Sequence, residues 1–244
     1  FRVVGGNDHA KFIHSHYGTI RVDGLALQPD TDYGYKTLMR NFRTDPNPPV
    51  PWTAAWTIED RCGYLPAGTP VGFRYTDLTH GASASTCEAW INACIFDACK
   101  PDWLPRLMIR RRGGTSPLAS TFVAILEPCG KEAVVSKCRR LDVQARGAAC
   151  SDNVVGMEVV LADGRRDILL AADVADPLHR SQPDTANGLK IPEIPLDSSA
   201  ELTWLRVGPD KRIQSAALGN GTDLTCAGHH IAPPTPTPFF EMGA

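Results

Sequence analysis

The sequence predicts an all-β protein, an antiparallel β-sandwich followed by a smaller C-terminal β-sheet unit. The run STFVAILEP (120–128) alternates two apolar sets, which predicts a strand covered on both faces in the middle of a sandwich. The segment MEVVLADGRRDILLA (157–171) has two β-rich runs around Asp163-Gly164, and Asp-Gly is typical of a tight hairpin turn. Twenty-one glycines and 20 prolines with only 21% charged residues also favour a turn-rich β protein.

Alternation of apolar and polar residues predicts further strands along the chain. They are expected at 1–4, 9–16, 19–28, 52–61, 71–79 and 104–112 before the central run, and at 134–143, 201–208 and 211–226 after it. The segment 83–96 contains Ala, Glu and Trp and so fits strand or helix, and its neighbours favour strand. Two long stretches, 29–51 and 175–197, are predicted loops, and the Pro-rich tail is predicted to lie extended on the surface.

A polar stretch at 144–153 is the expected boundary between two β units. The first unit, residues 1–145, would be the antiparallel sandwich portion. The second, residues 146–244, would be the smaller sheet unit with the Pro-rich tail. No internal repeat is visible in either part.

Composition excludes some classes of partner. The net charge is -2 and the basic residues are scattered, whereas nucleic-acid binding needs a basic face. No apolar run approaches the roughly 18 residues of a membrane span, so no membrane partner is expected. The chain opens FRVVGG without an initiator Met or a signal-peptide core, which we interpret as a processed product or a C-terminal piece of a longer protein.

The eight cysteines include no CxxC pair, which disfavours a zinc ribbon. An even number predicts at least two disulfides and a secreted or periplasmic protein. The local pairs Cys94/Cys99 and Cys129/Cys138 each flank a turn and are the first candidates. The alternative is a set of buried thiols that fill small sites in the core.

Two groups of polar residues are candidates for a binding site. His14 and His16 would share one strand face beside Tyr17, a spacing that suits a metal or a proton-transfer site, although no third ligand is evident nearby. Arg40 and Asn41, followed by Arg43, lie in the long loop, where arginine would bind a carboxylate in a bidentate manner. The alternatives are surface or core histidines and a solvated loop tip.

Aromatic and basic side chains leave two further interpretations open. Tyr33, Tyr35, Trp52 and Trp56 would be stacking platforms for sugar rings or, for the two tryptophans, core residues. Arg106, Arg110 and Arg112 share a strand face that would meet a polyanion or simply solvent. No GxSxG, HExxH, P-loop or dinucleotide motif is present.

Several phrases together resemble the C-terminal β region of heparinase II/III-like polysaccharide lyases. They are FRVVGGNDHAKFIHSHYGTI, MRNFR followed by W-x3-W-x-IEDR-x-GYLP, LMIRRR-x5-LASTFVAILEP and LADGRRDILLA, which together extend over roughly residues 1–226. The resemblance implies an N-terminal α/α toroid ahead of a β-sandwich and a smaller C-terminal sheet. Cys62 and Cys129 depart from the pattern, and a secreted, disulfide-stabilised member would explain them.

In that family, uronate-containing glycans are cleaved by β-elimination, in which a base removes the C5 proton and an acid protonates the leaving oxygen. The resemblance places the catalytic residues in the toroid and the zinc motifs earlier in the sandwich. It therefore implies no cofactor within this chain, although a zinc site is possible in the complete enzyme.

The expected function is that of the C-terminal β portion of such a lyase. His14, His16, Tyr17, Arg40 and Asn41 would contact an acidic polysaccharide, a toroid portion or chain would supply the catalytic residues, and the isolated chain would be inactive. A non-catalytic carbohydrate-binding or scaffold β-sandwich is the alternative. A third hypothesis, a metal hydrolase that uses the histidines, predicts bound zinc.

Overall fold

The computed structural model describes residues 1–31, 38–91, 102–114, 117–173, 188–233 and 237–243 of the 244-residue chain. All regular elements in these ranges are β-strands, and their pairings are antiparallel, which confirms the predicted fold class. Among the same residues, no helix is long and apolar enough to cross a membrane. The chain forms two compact units, 1–133 and 134–244, and the polar stretch at 144–153 lies inside the second.

The first unit contains a five-stranded sheet in the order β2-β9-β8-β5-β4, a four-stranded sheet in the order β11-β7-β6-β3, and the pair β1-β10. Its strands are β1 (Arg2–Val4), β2 (Asp8–His14), β3 (Gly18–Asp23), β4 (Gln28–Pro29), β5 (Met39–Asp45), β6 (Trp52–Ile58), β7 (Gly72–Asp77), β8 (Ser83–Ile91), β9 (Asp102–Arg112), β10 (Ala119–Thr121) and β11 (Ala124–Cys129).

The two larger sheets of the first unit pack face to face around one apolar core. On β6, the buried residues Trp52, Ala54 and Trp56 alternate with more exposed ones, as a half-buried strand requires. They meet Leu107 and Ile109, which β9 contributes from the five-stranded sheet. Both tryptophans are only 2% exposed, so the core interpretation of this pair is confirmed.

The run 120–128 is not the single central strand that its alternation predicted. It divides into β10, which pairs with β1, and β11, which is an edge strand beside β7. The chain changes partner at Phe122 and Val123, both buried, and Leu78 donates its amide to the carbonyl of Val123. Alternation therefore indicated burial correctly only for residues 120–123, since Leu126 on the edge strand is 54% exposed and Glu127 is buried. The pairing depends on distant strands.

The predicted loop 29–51 contains strand β5, so that part of the prediction is wrong. A register shift between Arg40 and Arg43 interrupts the alternation of β5, which hid the strand in the sequence. Tyr33 and Tyr35 lie outside the described residues. In the ambiguous segment 83–96, β8 extends to Ile91 and the remainder also lies outside them.

The second unit contains two six-stranded sheets, β12-β15-β16-β19-β20-β23 and β14-β13-β17-β18-β21-β22. Its strands are β12 (Val135–Leu141), β13 (Gln144–Ala145), β14 (Ala148–Ala149), β15 (Val154–Leu161), β16 (Arg166–Ala172), β17 (Leu189–Ile191), β18 (Leu196–Ser198), β19 (Leu202–Val207), β20 (Ile213–Gly221), β21 (Leu224–Cys226), β22 (His229–Ile231) and β23 (Thr237–Gly243).

Local pairing in the second unit follows the sequence prediction. β15 and β16 form the predicted hairpin, which turns at Asp163-Gly164 with a φ of 86° at the glycine. The predicted loop 175–197 is partly wrong, because it contains β17 and the start of β18. The tail is extended and mostly exposed over 238–243, as predicted, and there it forms β23, which pairs with β20. One core joins both sheets, with Ile168 and Leu205 from one and Leu189 and Leu224 from the other.

The described cysteines carry thiols, which contradicts the expected disulfides in this part of the chain. They are Cys62, Cys87, Cys129, Cys138, Cys150 and Cys226. Cys129, which ends β11, and Cys138, which is buried on β12, are both among them, so the predicted Cys129–Cys138 bridge is not formed. Burial raises the pKa of Cys87 to about 12 and so keeps its thiol protonated and unreactive. The Cys94–Cys99 pair lies outside the described residues.

We expect a thiol titration of the denatured, unreduced protein to find at least six reactive cysteines of the eight. The physical reason is that these six cysteines form no disulfide in the structure, and the three buried ones, Cys87, Cys138 and Cys226, are shielded from oxidants until the chain unfolds. Mass spectrometry after alkylation would identify which residues reacted. Fewer than six alkylated cysteines would contradict the expectation.

Candidate functional site

A cleft of about 450 Å³ opens in the first unit where the core-facing side of the five-stranded sheet becomes polar. On β8, Ala84 belongs to the core, and the next two residues on the same side are Thr86 and Glu88. The cleft thus continues the space between the two sheets. It is lined by Gly18, Thr19 and Ile20 on one side and by Asn41, Arg43, Thr86, Glu88, Trp103 and Pro105 on the other.

Gly18 allows the four-stranded sheet to form one wall of this cleft. A Cβ atom at this position would lie 2.0 Å from the carbonyl oxygen of Thr57, on the neighbouring strand β6. Its φ of 134° is also a conformation that residues with side chains rarely adopt. The close approach of β3 and β6 at the mouth of the cleft therefore requires glycine.

Glu88 is the polar centre of the opposite wall. Its Oε2 accepts hydrogen bonds from Arg40 Nε at 2.7 Å and from Asn41 Nδ2 at 2.9 Å. The Arg40 guanidinium also lies over the ring of Trp103, 4.0 Å from its centroid. This ion pair is about half exposed, so it contributes at most about 1 kcal/mol to stability. The larger effect of these contacts is to fix the orientation of Arg40, Glu88 and Trp103.

The irregularity in β5 determines which of its side chains reach the cleft. Between Arg40 and Arg43 the register with β8 shifts, and Asn41 has a φ of 56°. Arg40 lies opposite Glu88 and Arg43 lies opposite Thr86, on the side of β8 that leads to the cleft. Phe42 instead packs with Cys87 and Met108 in a separate apolar cluster.

Arg43 presents a guanidinium whose charge is not neutralised by a carboxylate of the described residues. Its Nη2 donates to the carbonyl oxygen of Leu27 at 3.2 Å, which leaves further N–H donors available. Within the described ranges, no carboxylate forms an ion pair with Arg43. Arg40, in contrast, is bonded to Glu88. Arg43 is therefore the stronger candidate for binding an anionic group of a ligand.

A second arginine–aromatic pair lies beside the cleft residues. The guanidinium of Arg61 lies 4.3 Å from the ring centroid of Tyr17 and binds the carboxylates of Glu59 and Asp102. The hydrogen bond from Arg61 lowers the pKa of Asp102, so this carboxylate stays ionised. Because Asp102 precedes Trp103, the contact helps to hold the start of β9 in place.

The structure does not gather all of the sequence-predicted residues in one place. Asn41 lines the cleft, Arg40 binds Glu88 beside it, and Tyr17 is buried next to Gly18. His14 lies opposite Arg106, on the face of the five-stranded sheet that points away from the core. β2 ends at His14, and His16 follows it in a bend, so strand alternation does not give the two histidines a common face.

The remaining candidates have structural contacts. Arg110 binds the carboxylate of Asp8, and this hydrogen bond lowers the pKa of Asp8. With Arg112 and the hydroxyl groups of Ser83 and Ser85, it lines a second groove of about 360 Å³. In the part of the chain that the structure describes, no three His, Cys, Asp or Glu side chains are grouped to hold a metal ion.

Comparison with known proteins does not assign the chain to a family. No protein-family model matches the sequence, and no curated protein matches it significantly. The resemblance to heparinase II/III-like lyases therefore remains a hypothesis, and the chemistry of the cleft carries the functional argument.

Sequence reasoning missed Glu88 and Trp103 as members of the site. Glu88 lies in a segment that fitted both strand and helix, so its face was not defined. The available signal was the series Ala84, Thr86 and Glu88, whose period of two continues from a core residue into polar ones.

Proposed function

We propose that the first unit binds an acidic, uronate-containing glycan in the cleft formed by β3, β5, β8 and β9. The observation that carries the proposal is the exposed guanidinium of Arg43 in a cleft that also contains an aromatic ring and a carboxylate. Guanidinium groups bind carboxylates through paired hydrogen bonds, and ligand sites combine apolar surface with a few fixed polar groups.

Each part of the cleft has a role in such a complex. Arg43 would bind the uronate carboxylate, and Trp103 would pack against the C–H face of a sugar ring. Asn41 and Glu88 would exchange hydrogen bonds with sugar hydroxyl groups. Arg40 would act indirectly, because its contacts hold Glu88 and Trp103 in position.

In the wider proposal, the chain is the C-terminal β portion of a heparinase II/III-like lyase. An α/α-toroid portion or chain would supply the proton-abstracting and proton-donating residues of β-elimination. The β portion would hold the glycan against them. Such a protein would act outside the cytoplasm, as a secreted or periplasmic protein. The resemblance of the quoted phrases supports this assignment, and the cleft supports its glycan-binding part.

Arg43→Ala is expected to weaken binding of a uronate oligosaccharide by about 1–3 kcal/mol, the usual loss for a hydrogen-bond partner that carries charge. Isothermal titration calorimetry of the 244-residue chain with an unsulfated uronate tetrasaccharide would measure it. The matched control is Arg212→Ala, which removes an exposed arginine of the second unit. Equal affinities for wild type and both variants would refute the cleft as the binding site.

A second measurement addresses turnover. The absorbance of the unsaturated uronate product should not rise when the chain alone is incubated with the glycan, because the elimination chemistry would reside elsewhere. Rapid product formation by the chain alone would overturn this division of roles. Binding without turnover in a longer protein that includes the upstream coding sequence would favour the alternative, a non-catalytic carbohydrate-binding sandwich.

A further inference from the structure

The cleft contains two exposed groups of opposite charge. Glu88 uses its Oε2 for both Arg40 and Asn41, while its Oε1 has no hydrogen-bond partner among the described residues. The side chain is 39% exposed and lines the cleft, so this oxygen can accept a hydrogen bond from a ligand. Arg43 supplies the complementary positive group in the same cleft.

Strand register defines the backbone spacing of these two residues. Arg43 lies directly opposite Thr86, and Glu88 follows Thr86 by two residues on the same side of β8. Two residues of a β-strand span about 7 Å, which is close to the size of one sugar ring. A glycan that binds Arg43 through a carboxylate is therefore long enough to bring a substituent of the same or the neighbouring sugar to Glu88.

We propose that the cleft selects uronate glycans of low charge density, in which the group facing Glu88 is a hydroxyl or another hydrogen-bond donor and not a sulfate ester. This inference rests on the proposed glycan-binding function and specifies its substrate class. A hydroxyl donates to the Glu88 carboxylate, whereas a sulfate has no donor and brings a second negative charge against it.

The arrangement around Glu88 supports this selectivity. Arg40 offsets the charge of Glu88 but is held on the ring of Trp103 and by its bond to Oε2, so it is not positioned to bind a sulfate on the Oε1 side. Among the described residues that line the cleft, Arg43 is the ligand-facing cation that has no carboxylate partner. A densely sulfated glycan would bring two anions to a cleft that accommodates one.

The test compares two tetrasaccharides with the same uronate backbone, one unsulfated and one O-sulfated, by titration calorimetry at fixed ionic strength. Wild type should bind the unsulfated ligand about fivefold to tenfold more tightly, because the sulfated ligand both loses the hydrogen bond to the Glu88 carboxylate and meets a like charge. Glu88→Gln keeps the side-chain shape and should reduce the ratio of affinities to about threefold or less. Glu132→Gln, the same change at an exposed residue outside the cleft, should keep the wild-type ratio.

The outcomes separate the two proposals. Similar wild-type affinities for both ligands, or an unchanged ratio in Glu88→Gln, would overturn the selectivity while the glycan-binding function stands. Tighter binding of the sulfated ligand by wild type would also overturn the selectivity and leave the glycan-binding function standing. If neither ligand binds wild type, the proposed function fails, and the selectivity fails with it. Circular dichroism of each variant would verify that it is folded.

Discussion

Gly18→Ala is expected to destabilise the first unit by about 3 kcal/mol or more, because both backbone strain and a steric clash act at this position. A Cβ there would meet the Thr57 carbonyl oxygen at 2.0 Å, and the φ of 134° is unfavourable for alanine. The backbone has little room to move, since Glu59 donates its amide to the Tyr17 carbonyl at 2.8 Å and β3 pairs with β6 along its whole length.

Denaturant unfolding followed by tryptophan fluorescence would measure this loss, because four of the five tryptophans, Trp52, Trp56, Trp90 and Trp103, belong to the first unit. The matched control is Gly68→Ala. Gly68 has a φ of 80°, but no atom lies within 4 Å of the point that a Cβ would occupy, so the variant should show only the conformational cost, about 1–2 kcal/mol. Equal losses in the two variants would contradict a clash at Gly18.

Local sequence features predicted those parts of the fold that depend on neighbouring residues. The hairpin at Asp163-Gly164 follows from a two-residue turn signal and from strands whose alternation continues on both sides. The burial of Trp52, Ala54 and Trp56 follows from a period of two on β6. In each case the relevant information lies within about ten residues of chain, so a single sequence contains it.

Features that depend on distant strands were not predictable in this way. The run 120–128 gave no sign of the change of partner at Phe122, because β1 and β7 become its neighbours only in the folded sheets. The register shift in β5 broke the alternation and made a strand look like a loop. The cleft was not predictable for the same reason, since Gly18, Arg43 and Trp103 come from three strands that the topology brings together.

The second large loss of stability is expected when Asp77 is replaced, since its carboxylate lies in the core of the first unit. It accepts hydrogen bonds from the hydroxyl of Tyr75 and, at 2.9 Å, from the backbone amide of Thr79. The amine of Lys11 lies 5.4 Å from the centroid of the Tyr75 ring, and burial lowers the pKa of that amine. Asp77→Ala would leave two buried donors without their acceptor and remove the charge that favours the Lys11 ammonium. We expect it to lower the free energy of unfolding by about 2–4 kcal/mol.

The pH dependence of this loss has a defined sign. Burial raises the pKa of Asp77 above its ordinary value of 3.8, so the folded state binds this proton more tightly than the unfolded state. The contribution of Asp77 to stability is therefore complete below pH 3.8 and declines as the pH rises through the folded-state pKa. Since alanine does not titrate, the stability difference between wild type and Asp77→Ala should grow as the pH falls through this window.

For Asp8→Ala, in the same unit, we expect the opposite pH dependence of the stability difference. The hydrogen bond from Arg110 lowers the pKa of Asp8, so its contribution is present above pH 3.8 and is lost as the pH falls through the folded-state pKa. Denaturant unfolding of wild type and both variants, repeated from about pH 7 downwards, should thus give differences that change in opposite directions. A difference for Asp77→Ala that shrinks on acidification would show that the buried carboxylate is stabilised as a charge, by Lys11 and its hydrogen bonds, more strongly than burial disfavours it.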